Sequence, residues 1–357
     1  MIRLAKPWLD EHERQAIADV LESGLLVQGE RVQQFEAALA QRCSRKHAVV
    51  VSSGTAALEL ALRALDIGAN DRVVCPGLTW PSPAHAVELV GATLVLTDVE
   101  MTSWNIDVAL VSERLDGPPK AIIAIDQFGN PAPFEALKEK YPNALIIEDA
   151  ACAIGSTLGG TPCGSFGDIS CLSFHPRKVL TTGEGGACLT DDAELADRLR
   201  VLRNHGQKSP GVFVTAASNY RLTEMGAAMG LSQLDKLDEI VSRRQAIADR
   251  YHRELPALEF QEIAKNATSN FQTMGAMLSK TYNRDARDGF VQECRKNGVE
   301  VGALSYSLDR VGSLRSPSEP LSNARTIADR GVALPLYAQM TEQEQSTVIR
   351  TVREVLQ

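Results

Sequence analysis

The chain has 357 residues, 44% of them hydrophobic and 23% charged, and its 37 basic against 45 acidic side chains give a net charge of −8. That length suits two domains, or one large core with an appendage. An acidic balance with no block of like charge excludes the basic footprint of a nucleic-acid or anionic-membrane binder.

MIRLAKPWLDEHERQ lacks a signal-peptide core, and no apolar run is long enough to span a bilayer, so a cytoplasmic protein is expected. The seven cysteines include no C-x-x-C pair and the six histidines no H-E-x-x-H, so reduced core thiols and no zinc site are expected. A helical N-terminal segment precedes a β/α alternation that begins near residue 47. HAVVV, DRVVCP, TLVLTD, KAIIAID, NALIIED, GDISCLSF and GGACLT read as strands. TAALELALRALDIG, SPAHAVELVG, VALVSERLDG and PFEALKEKYP lie between the first five and read as helices. Continuous apolar strands joined by helices predict an α/β fold with a mostly parallel seven-stranded sheet covered on both faces. The last two strands are joined instead by HPRKVLTTGE.

From Thr223 to Leu255 the pattern is helical. FQTMGAMLS, RDARDGFVQECRKNG, VEVGAL and the closing EQEQSTVIRTVREVLQ then predict a small α+β domain. The boundary is expected near residue 240, giving a large domain over 1–240 and a small one over 241–357.

Ligands of open α/β sheets bind beyond the carboxyl ends of the strands. There the sequence sets Ser52-Ser53-Gly54-Thr55 before a helix, Trp80 after VVCPGLT, Asp149 at the end of ALIIED, and Lys178 after DISCLSF. A glycine and a hydroxyl residue at a helix start offer N–H groups to an anion, and serve equally as an ordinary N-cap. A carboxylate closing a buried strand needs a positive partner or several donors. Trp80 alone reads as a core or rim aromatic, and Glu184-Gly185-Gly186 alone as a glycine turn. Taken together, an anion cradle, a flat aromatic, an acid and an amine match pyridoxal 5′-phosphate, with its phosphate, planar ring, protonated pyridine nitrogen and aldehyde. A lysine in bulk water, with a pKa of about 10.4, is too fully protonated to attack an aldehyde. A dry strand end lowers that barrier.

SGLLVQGERVQQFE, SSGTAALELALRAL, GATLVLTDVE, IIEDAACAIGSTLGG, GDISCLSFHPRKVLTTGEGGACLTDD, LRNHG and NYRLTEMGAAMGLSQL follow one another in the order seen in a known family. From about residue 10 to about residue 240 the chain resembles the DegT/StrS family of pyridoxal phosphate-dependent sugar aminotransferases, which have the fold-type I architecture. The resemblance implies that Lys178 bonds covalently to the cofactor and shuttles the proton, and that Asp149 pairs with the pyridine nitrogen. It implies that Trp80 stacks on the ring, that Gly54, Thr55 and Ser173 bind the phosphate, and that Cys152 lies close to the ring. Asn219 would reach the cofactor of a neighbouring subunit, so a homodimer is implied. The implied activity transfers an amino group from an amino acid, L-glutamate by resemblance, to a keto sugar, foremost a nucleotide-linked one. His175 and His205 read as a loop and a helix-end residue, Glu184 as a turn charge, and Arg221 as either a substrate-phosphate contact or an exposed charge.

Two departures stand out. Cys152 occupies a position where members often carry Gln or His, and SYSLDRVGSLRSPSEP replaces a His-Tyr-rich loop. An aminotransferase for a small keto compound or cyclitol therefore stays open, as does a non-catalytic sensor that binds the cofactor. Lys178 argues against a dehydratase of the same family, which carries histidine there. SSGTAA lacks the G-x-G-x-x-G of a nicotinamide oxidoreductase.

Overall fold

The computed structural model describes residues 1–111, 115, 117–315 and 320–357. Seven strands build the main sheet: β1 (His47–Val51), β2 (Arg72–Pro76), β3 (Thr93–Thr97), β4 (Ala121–Ile125), β5 (Leu145–Asp149), β6 (Ile169–Ser173) and β7 (Gly186–Thr190). Their order is β1-β7-β6-β5-β4-β2-β3. Strands β2 to β6 pair in parallel, and β7 runs antiparallel to both β6 and β1. Strand β1 thus points the same way as the parallel set, and the carboxyl ends of β1 to β6 share one edge.

Every residue of β4 and β6 is buried, as a sheet covered on both faces requires. Alternate residues of β1 serve opposite faces, with Val49 and Val51 in one core and Ala48 and Val50 in the other. Phe35, on the helix Glu30–Arg42, packs on Phe174 with ring centroids 5.3 Å apart. Phe35 also sits so close to Gly230 that a Cβ there would lie 2.4 Å from its Cζ. This packing fixes the chain just before the lysine loop.

In the C-terminal part β8 (Glu259–Phe260), β9 (Met274–Met277), β10 (Gly302–Ala303) and β11 (Gly331–Leu334) form an antiparallel sheet in the order β8-β9-β11-β10. Tyr251, Leu278, Phe290, Val332 and Val352 share its core. Residue 240 falls in the first turn of the helix Leu237–Glu254. The first residues of the chain join this C-terminal part, since Ile2 bridges to Val299 and the Leu4 N–H donates to Glu300 Oε2 at 3.0 Å.

The fold is thus the expected α/β arrangement, with a large, mostly parallel sheet. The helix Ser322–Arg330 is an addition that the sequence pattern did not announce. Its cap is distant in sequence: the Asp98 carboxylate accepts the Asn323 and Ala324 N–H groups, each at 2.8 Å. Of the helical reading of VALVSERLDG, residues 112–114 and 116 lie outside the described residues, as do 316–319 of the 305–320 segment. Among the described residues, no helix is long and apolar enough to cross a membrane.

Candidate active site

Strand register assembles the cradle. Val51 pairs with Gly186, and Gly186 pairs with Ser173, so the turn after β1 meets the end of β6. Ser53 Oγ accepts the Ala56 N–H at 3.0 Å and caps the helix Gly54–Ala64, so the ordinary cap is present. The first backbone bond, Ala57 N–H to the Ser53 carbonyl at 3.0 Å, leaves the Gly54 and Thr55 amides ahead of it, where an anion is favoured. Gly54 is required by close approach: a Cβ would lie 2.7 Å from Ser173 Cβ.

The lysine loop is pinned at its base. Phe174 N–H donates to the Gly185 carbonyl at 2.8 Å, and the Phe174 carbonyl accepts from Thr182 N–H at 3.0 Å and Thr181 Oγ1 at 2.8 Å. Lys178 N–H closes a turn onto the His175 carbonyl at 2.8 Å. Lys178 Nζ donates to Cys152 Sγ at 3.0 Å. His175 serves the loop itself, its Nδ1 accepting the Arg177 N–H at 3.2 Å, and burial pulls its pKa down.

Asp149 closes β5 beside β6 and is 4% exposed. It accepts the Ala151 N–H at 3.1 Å. Burial pushes its carboxyl pKa up, against the pull of that amide and of the Lys178 charge. Its neighbour Glu148 holds the turn before β6, accepting from Gly164 N–H at 2.7 Å, Phe166 N–H at 2.8 Å and Ser170 Oγ at 2.6 Å. Burial raises Glu148 as well, and pushes Asp126 well above the usual carboxylate range.

Trp80 lies 63% exposed at the same edge, beyond the end of β2. Asn219 is exposed, with its Oδ1 accepting the Arg221 N–H at 3.2 Å. Ser52 N–H donates to the Tyr220 carbonyl at 2.8 Å, so this segment lies against the cradle of its own chain. Arg221 is half-buried, donates to Asn204 Oδ1 and bridges to Val51 through its backbone, so it is not a free helix-start charge. His205 N–H donates to the Ser218 carbonyl at 2.9 Å, outside the lysine loop.

Three residues absent from the sequence reading shape the site. Asn270 Nδ2 donates to the carbonyls of Cys152 at 3.0 Å and Ile154 at 2.8 Å, which holds Cys152 in place. Gln127 Nε2 donates to the Leu78 carbonyl at 2.8 Å and fixes the turn that carries Trp80. Tyr306 brings its ring against that of Trp80, with centroids 5.5 Å apart. No local pattern marks these contacts, since each joins segments far apart in the sequence.

The rim fits pyridoxal phosphate. Free helix-start amides stand where a side chain is excluded, and a buried acid with a single amide donor can take a second, positive one. An edge so furnished, on this sheet, agrees with the expectation of a pyridoxal phosphate enzyme of fold type I.

The model of the DegT/DnrJ/EryC1/StrS aminotransferase family matches residues 7–353, and the chain belongs to that family. It is a pyridoxal phosphate-dependent aminotransferase. A Streptococcus pneumoniae protein described as a sugar aminotransferase, Spr1654, is 25% identical with a TM-score of 0.95 over 99% of this chain and 97% of its own. Structures of it exist in pyridoxal phosphate and pyridoxamine phosphate forms. The aminotransferase TlmJ from Streptoalloteichus hindustanus is 30% identical, with a TM-score of 0.93 over 100% of this chain and 99% of its own. DesV from S. venezuelae is 31% identical, with a TM-score of 0.92 over 99% and 98%.

Proposed function

We propose that this enzyme moves an amino group from an amino-acid donor, L-glutamate in the first place, to a keto sugar carried on a nucleotide. One observation carries the assignment of the catalytic pair: a buried carboxylate ending β5 and an amine on the pinned loop after β6 leave adjacent, parallel strand ends. Kinship with a chain described as a sugar aminotransferase supports the acceptor class.

Pyridoxal phosphate, when bound, supplies the electron sink that lets a Cα–H bond release its proton and the carbon that carries nitrogen between the substrates. Lys178 would hold the cofactor at its aldehyde carbon, and its Nζ would take up and return the proton that the donor's Cα–H bond releases. Cys152 marks one end of that amine's reach. Asp149 accepts the pyridine N–H and keeps positive charge there. The Gly54 and Thr55 amides and the Ser173 hydroxyl hold the phosphate, and Trp80 covers the ring. Asn219 reaches the cofactor of a second copy of the chain in a homodimer, and the enzyme works in the cytoplasm.

The test supplies L-glutamate with an isotopically labelled amino nitrogen, together with nucleotide-linked keto sugars, free keto sugars and keto cyclitols, and follows the label by mass spectrometry. Label in a nucleotide-linked sugar is the expected result. Label confined to cyclitols or small keto compounds contradicts the acceptor assignment.

A further inference from the structure

We propose that Tyr306 is a positioning residue of this active site, holding the Trp80 indole in place over the cofactor from the C-terminal part of the chain. The proposal rests on Trp80 being the side chain that covers the cofactor ring.

Beyond β2 the backbone continues through Gly77 to Leu78–Thr79, which forms an antiparallel ladder with Tyr306–Ser307. Tyr306 stands opposite Thr79 and Ser307 opposite Leu78. Leu308 N–H extends the ladder to the Gly77 carbonyl at 2.8 Å. One residue past Thr79, the Trp80 ring meets the Tyr306 ring at 74°, edge towards face. A pair of this geometry is worth about 2- to 10-fold in an equilibrium beyond the area it buries.

Exposure argues against a packing role alone. Trp80 is 63% exposed and Tyr306 51%, so neither ring is fixed by a surrounding core. An indole free to turn about χ1 loses ordering entropy on stacking, and a neighbour that restricts it beforehand removes part of that cost. Both ends of the contact are themselves braced. Gln127 holds the Leu78 carbonyl on one side. On the other, the Asp309 carboxylate gathers Ser307 Oγ at 2.5 Å, Arg325 Nε at 2.5 Å and Leu321 N–H at 3.1 Å. Leu321 fills the space at Gly77, where a Cβ would lie 1.9 Å from its Cδ1. The stretch from Tyr306 to Asp309 is therefore held in register with the Trp80 turn, and Tyr306 is the side chain it delivers.

The test compares the full-length parent with Tyr306→Phe, Tyr306→Ala and Trp80→Ala. Two readouts need no turnover: the pyridoxal phosphate dissociation constant, titrated on the visible band, and the induced circular dichroism of that band, which reports how the ring is held. Tyr306→Ala is expected to weaken cofactor binding about 3- to 10-fold and to diminish the dichroic signal, whereas Tyr306→Phe keeps both within about twofold. Unchanged affinity and dichroism in Tyr306→Ala, alongside a large change in Trp80→Ala, overturn the role of Tyr306 and leave that of Trp80 standing. No change in Trp80→Ala removes the premise itself. Equal damage from Phe and Ala contradicts a contact made by the ring. Should Tyr306→Ala lose its cooperative thermal transition, Tyr306→Leu keeps bulk without a ring and carries the same two readouts.

Discussion

The rim residues Ser52–Thr55, Trp80, Asp149 and Lys178 and the C-terminal stretches Gly302–Arg315 and Ser322–Arg330 are placed by different means. On the rim, position follows from strand order: β5 and β6 are neighbours, so Asp149 and the lysine loop emerge side by side. The C-terminal segment owes its place to single long-range contacts, among them the Tyr306–Thr79 ladder and the Asp98 cap on Ser322–Arg330. Chemistry set at the ends of paired strands is insensitive to what the loops do. Stretches placed by contacts between distant parts of the chain can change their outward side chains while the sheet stays as it is.

The sharpest way to break this contrast is at Lys178. Lys178→Ala is expected to lower transamination by about 10³-fold or more while the cofactor still binds through its phosphate and ring contacts. Single-turnover kinetics and a binding titration check the two halves separately, and a variant near the parent rate would assign the amine wrongly. Next comes Asp149→Asn, which removes the carboxylate proposed to face the pyridine nitrogen. Cofactor affinity should fall on the order of 10²-fold, as when one partner of a buried charge pair is lost. Equilibrium titration of the band measures it.

Gly54→Ala tests the cradle. The new methyl meets Ser173 Cβ, and overpacking of this kind costs about 1–3 kcal/mol. The expected loss is on the order of 10-fold in phosphate and cofactor affinity, with the chain still folded by circular dichroism. Unaltered affinity would show that the turn yields.

The smallest effect concerns pH. In the cofactor-free chain burial raises the Asp149 pKa, so the folded state holds that proton more tightly than the unfolded state does. The stability this contributes is complete below the ordinary carboxylate value of about 4 and is lost as pH rises through the raised value. An asparagine side chain carries no such proton. The melting temperature of Asp149→Asn relative to the parent should therefore climb across that window, by on the order of a degree or two. A difference independent of pH would contradict a raised carboxyl.

Much of the rim was legible because its signals are contiguous. An apolar run such as ALIIED announces a buried strand and its terminal acid in the same few residues, and SSGTAAL announces a cap and a helix. Lys178 stood out because HPRKVLTTGE is unlike the helical connections before it. The other side was illegible for an equally physical reason. SNARTIADR is short and weakly apolar, and its cap is an aspartate from the end of another strand. SYSLDRVGSLRSPSEP looked only like a missing motif, since the partner that gives Tyr306 meaning lies at Thr79 and Trp80. Cys152 read as a weak substitute for Gln or His, whereas in the structure its sulfur receives the Lys178 amine, which no spacing could show.

The most direct measurement is an absorption spectrum of the purified, cofactor-loaded enzyme before and after L-glutamate, followed by borohydride reduction and peptide mapping. The predicted result is a visible band that glutamate bleaches, with the reduced cofactor attached to Lys178. A band unmoved by glutamate and other amino acids, or a label on a different lysine, would contradict it.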